Sequence, residues 1–111
     1  MKIAFRRRQL ENTFNSQTAL RVRYGEQMAN AIGNRMAVLS SARTLSLVPS
    51  TKPERCHRLS GRRRHQFAVD LVHPYRLLFE LADDPIPLRA DGGIDKDAVT
   101  AITIIEVIDY H

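Results

Sequence analysis

The chain has 111 residues, with 17 Lys and Arg against 12 Asp and Glu, a net charge of +5 and a pI near 10. That length makes room for one small domain, predicted over residues 1–111, and a 43% hydrophobic content supplies one core. No apolar run exceeds Met36–Leu39, which excludes a membrane-spanning helix and a signal-peptide core, and the lone Cys56 excludes an internal disulfide and an all-cysteine zinc site.

Lys2–Phe5 alternates polar and apolar residues and predicts a short first strand. Arg6–Phe14 reads as a helix, and Ser16 is placed to cap a second one over Gln17–Ala42, with Gly25 as a candidate bend. Along it Met28, Ile32, Met36 and Leu39 recur at steps of four and three, an apolar stripe that belongs against a core. Leu45–Pro53, with two prolines and several Ser and Thr, is a connector. Strands are then predicted at Arg55–Leu59, Gln66–Val72, Tyr75–Leu81 and Ala101–Ile108, with turns at Ser60-Gly61 and His73-Pro74. Ala82–Thr100, with Pro85, Pro87 and Gly92-Gly93, reads as a long exposed hairpin loop.

The predicted class is α+β: a short N-terminal strand and two helices on one face of a mostly antiparallel sheet of about four strands. Its other face is left partly open, and a site belongs there. Charge divides along the chain: residues 1–64 carry a net of +11, residues 65–111 a net of −6. Such a split points to a basic face for a polyanion or an acidic partner, and the excess of arginine suits phosphate. The four histidines and one cysteine show no metal-ligand spacing, and Asp91–Asp97 lacks the alternation and closing glutamate of a calcium loop. No cofactor is expected. His65 and His73 read as structural or exposed.

Three stretches carry a family resemblance: Arg55-Cys56-His57-Arg58-Leu59-Ser60-Gly61, His73-Pro74-Tyr75-Arg76-Leu77-Leu78-Phe79-Glu80, and Ile105-Glu106-Val107-Ile108-Asp109-Tyr110-His111. A histidine before a turn, an aromatic-Arg-hydrophobic strand and a terminal Asp-Tyr-His resemble the RelE/ParE superfamily of type II toxin–antitoxin toxins, in its HigB-like branch. The resemblance implies a RelE-like fold and a cytoplasmic toxin that cleaves mRNA on the ribosome without a metal. It also implies neutralisation by a HigA-like helix-turn-helix antitoxin, with DNA met only through the toxin–antitoxin complex and no role for a membrane.

Carried over by position, the resemblance makes His57, Arg76, Asp109, Tyr110 and His111 the catalytic candidates. Arg58, Arg62, Arg63 and Arg64 are candidate RNA contacts near the turn. Histidine suits proton transfer near neutral pH, arginine the charge growing on phosphorus, and an aromatic ring the stacking of an unpaired base. For Arg76 the competing role is an ion pair with a strand acid such as Asp70. Ser60 and Asp70 depart from the family pattern, which places basic residues there. Two alternatives therefore stay open: a ParE-type inhibitor of DNA gyrase that cuts nothing, and a weakened RNA-binding toxin.

Overall fold

The helical backbone expected over 17–42 breaks at Gly25, the candidate bend, just ahead of the Met28–Leu39 stripe. In the computed structural model, which describes residues 1–63 and 65–109, Gly25 takes φ +86° and ψ 166°, a conformation essentially reserved for glycine. It ends one helix and starts the next, so the two helices expected are three: α1 (Arg8–Phe14), α2 (Gln17–Tyr24) and α3 (Glu26–Ser41). Ser16 does cap α2, its hydroxyl accepting from the Ala19 N–H at 3.1 Å.

The strands are β1 (Lys2–Phe5), β2 (His57–Arg58), β3 (Gln66–Asp70), β4 (Tyr75–Leu81) and β5 (Ala101–Asp109). All five join one sheet in the order β1-β5-β4-β3-β2. The expected sheet of about four strands has five among the described residues; it is mostly antiparallel as expected, but mixed, because β1 lies parallel to β5 at the edge, Ile3 opposite Ile102. The other pairs are antiparallel. β3 stops at Asp70 because the Leu71–Tyr75 turn begins there, closed by the Tyr75 N–H donating to the Val72 carbonyl at 2.8 Å.

Alternation along the central strands decides what each face carries. Phe67, Val69, Leu77, Phe79, Ile102 and Ile104 turn to the helices and meet Met28, Ile32 and Leu39 of the α3 stripe, with Leu20 of α2. The rings of Phe67 and Phe79 stack there, 5.8 Å between centroids. The connector after α3 also enters this core through Leu45 and Val48. The opposite face carries a narrow apolar strip of Leu59, Ala68, Leu78 and Ile105, edged by Ile108. A bulge opposite Leu78 and Phe79 shifts the register there, bringing both Ile105 and Glu106 to that face.

The loop expected at 82–100 is more ordered than an open hairpin. It holds a bridge between Leu88 and Ile94 and a 3₁₀ turn at Lys96–Ala98, and it packs Ile94 and Val99 on the helix-side core. Its base is clasped by Asp83. That carboxylate accepts from the Thr100 N–H at 3.1 Å, the Thr100 hydroxyl at 2.8 Å and the Ala101 N–H at 3.0 Å. Burial pushes the Asp83 carboxyl up, but these donors outweigh it and hold it below its ordinary value. Asp91 and Asp95 accept from the backbone N–H groups two residues on, as turn acids do. No helix among the described residues is long and apolar enough to cross a membrane.

Candidate functional site

The face without helices gathers residues from four strands. Register makes it a grid. One row runs from His57 through Ala68 and Leu78 to Glu106; the next holds Asp70, Arg76 and Ile108. His57 and Arg76 therefore share this face, two strands and one row apart. The His57 ring is half-buried, and its Nδ1 lies 2.7 Å from the Arg55 carbonyl. A carbonyl only accepts, so this bond places the proton on Nδ1 and leaves Nε2 as the basic nitrogen.

Arg76 is held in the ion pair that competed with its phosphate role: its Nε lies 3.7 Å from the Asp70 carboxylate. A second cation holds that carboxylate more tightly. Arg55 grips it with both ends of the guanidinium fork, Nε at 2.7 Å and Nη2 at 2.9 Å. The hydrogen bond to Asp70 raises the Arg55 guanidinium above its ordinary value. Arg35 reaches from α3 and donates to the Asp70 main-chain carbonyl at 2.7 Å.

Sequence reasoning had no role for Arg55 or Arg35. The signal for Arg55 lay in the hairpin: the register that opposes His57 to Ala68 continues to oppose position 55 to position 70. Arg35 carried no such signal, since it comes from another layer.

The other candidates separate. Arg58 pairs opposite Phe67 and so falls on the helix side, lining a cleft of about 520 Å³ with Arg89 and Lys96. Arg62 and Arg63 sit on a 3₁₀ turn, Gly61–Arg63. Arg62 is exposed, while Arg63 donates to Gln66 at 3.0 Å and pairs with Glu106 at 3.9 Å. Asp109 ends β5 opposite Tyr75, on the helix side and away from His57 and Arg76. Arg64, Tyr110 and His111 lie outside the described residues. His65 and His73 are exposed. Burial pushes the Cys56 thiol up to about 11, with nearby Lys96 pulling the other way, so little nucleophilic thiolate forms at neutral pH.

In space the division of charge becomes a set of pairs. Arg6 meets Glu80 at 2.9 Å, Arg55 meets Asp70 and Arg63 meets Glu106, each joining the basic half to the acidic half across this face. The expected basic face is a lattice of arginines with carboxylates set between them. Among the described residues no group of three or more His, Cys, Asp or Glu is placed to hold a metal ion. No protein-family model, curated protein or solved structure matches the chain.

Proposed function

We propose that the chain is the toxin of a type II toxin–antitoxin pair, acting as a metal-independent, ribosome-dependent mRNA endoribonuclease in the cytoplasm. In this reading a HigA-like helix-turn-helix antitoxin neutralises it. One observation carries the proposal: His57 and Arg76 share the sheet face opposite the helix-side core, in a setting of arginines.

The reaction asks little of the protein beyond acid–base groups and cations. His57 Nε2 takes the ribose 2′-OH proton, the oxygen attacks the adjacent phosphorus, and the P–O5′ bond breaks. The departing 5′ oxygen takes a proton from an acid, a role the resemblance gives to Tyr110 or His111. Arg76 stabilises the charge that gathers on the phosphorane oxygens.

The test is primer extension on mRNA translated with the purified protein. Discrete ribosome-dependent 5′ ends are expected, and His57→Ala should form them about 10²–10⁴-fold more slowly, as loss of an acid–base group does. Equal cleavage by a folded His57→Ala removes His57 from the chemistry. The second reading, a gyrase inhibitor of the ParE type, is favoured by one observation. Asp70 already neutralises the cations that a cleaving enzyme turns to phosphate. Growth arrest with DNA damage and no new mRNA ends supports it.

A further inference from the structure

The Arg55–Asp70–Arg76 cluster joins two guanidinium groups to one carboxylate beside a small recess. The recess measures about 50 Å³, the scale of a single tetrahedral oxyanion, and is bordered by Arg55, Asp70, His73, Tyr75 and Arg76. The two arginines and Asp70 leave it a net positive charge. Arg35 adds another cation at the Asp70 main chain.

The geometry of the fork matters here. A bidentate Arg–carboxylate pair and a bidentate Arg–phosphate pair use the same two parallel N–H donors. A phosphate therefore competes for the donors that Asp70 now occupies. The cluster is also accessible: the Arg55 side chain is 37% exposed and that of Asp70 26%, so an anion reaches them without opening the core.

The Arg55 backbone is set in position without help from the Asp70 carboxylate. It has φ +44°, a left-handed conformation uncommon for a residue other than glycine. Main-chain bonds fix it: the Arg55 N–H donates to the Thr51 carbonyl at 2.8 Å, and the Cys56 N–H to the Pro49 carbonyl at 2.9 Å. With the backbone so held, the base of the side chain keeps its place at the rim of the recess when the carboxylate is neutralised, and the guanidinium is left within reach of an incoming anion.

We infer that Arg55 and Arg76 form a phosphate-binding seat that the chain keeps filled with its own Asp70 carboxylate. The occupant that displaces Asp70 is a phosphate group, and Asp70 sets how much phosphate is needed. This deepens the RNA reading above, which lies on the same face, and it rests on that reading only for the identity of the natural ligand. The test uses inorganic phosphate and no ribosome, so failure of the seat and failure of the nuclease reading are separable.

Phosphate is titrated against chloride at equal ionic strength, following the arginine Nε–H resonances by NMR. In Asp70→Asn, which removes the anion and keeps the shape, phosphate affinity should rise at least tenfold, with saturable shifts at Arg55 and Arg76. Adding Arg55→Gln to Asp70→Asn should abolish the gain. A folded Asp70→Asn with unchanged affinity overturns the seat, and so do shifts centred on other arginines. The wild-type chain provides a second arm that needs no variant. Saturable displacement of Arg55 Nε–H and of the Asp70 carboxyl carbon by high phosphate supports the proposal, and a linear, unsaturating drift refutes it.

Discussion

The two faces of the sheet are built from the same strands by opposite means. Toward the helices Phe67, Phe79, Ile102 and Ile104 meet three helices and a connector in a continuous apolar core. On the other face Leu59, Ala68, Leu78 and Ile105 make a narrow strip, and arginine–carboxylate pairs surround it. The helix side has the means to hold the fold together. The open side is thinly supported, which suits a surface whose charged groups trade internal partners for external ones. Burial does the first job and ion pairs near water do the second, since exposed pairs contribute little to stability.

Adjacent residues of β4 test that contrast most strongly. Phe79 and Leu78 are both fully buried, but on opposite faces. Phe79→Ala deletes a ring stacked on Phe67 inside the main core and should cost about 3–5 kcal/mol. Leu78→Ala should fall toward the lower end of the roughly 2–5 kcal/mol span for such truncations, because few apolar groups surround it and the site relaxes toward solvent. Urea unfolding of both variants compares them directly. Equal losses mean that the open face is a second structural core, and the contrast fails.

The next prediction asks how far the helix side depends on the loop that Asp83 clasps. The loop delivers Ile94 and Val99 to that core, so the clasp sharpens or weakens it from outside. The Asp83 carboxyl is depressed in the folded chain relative to an ordinary value of 3.8. Its contribution is therefore present above about pH 4 and lost as pH falls through the lower folded value. Asp83→Asn should lower stability at pH 6, and its deficit against wild type should shrink as pH drops below 4. Unfolding curves at a series of pH values measure this, and a deficit that stays constant over that range shows that charge is not what the clasp uses.

These contrasts also mark what a sequence declares and what it withholds. β1 and β4 were legible to the residue, because alternation of Ile3 and Phe5, or of Leu77 and Phe79, is a local property. Gly25 was legible as a bend, but the sequence does not show that its φ of +86° makes the bend a full break between α2 and α3. The parallel seat of β1 beside β5 joins residues about a hundred positions apart, and no short pattern encodes a partner at that distance. The site was legible as residue types but less so as an arrangement. Arg76 and Asp70 were recognised as possible partners. The role of Arg55 depends on hairpin register, which its residue type does not declare, and Asp109 falls on the helix side because the bulge resets the alternation of β5.

The smallest effect concerns the ion pairs themselves, and it decides what kind of surface the open face is. Arg6 follows β1 and reaches over β5 to Glu80 of β4, with side chains 46% and 36% exposed. Two charges this close to water attract weakly, and both side chains lose rotamer freedom in holding one geometry. A double-mutant cycle of Arg6→Ala and Glu80→Ala should therefore give a coupling of about 0.2–1 kcal/mol, smaller still at high salt. A larger coupling, unmoved by salt, would mean that the pair is shielded and acts with its neighbours as a structural network. The carboxylates of this face would then be fixed parts of the fold, and an incoming anion would have to break the sheet to displace them. A weak, salt-sensitive coupling leaves the arginines available to other partners, as a surface that exchanges internal anions for external ones requires.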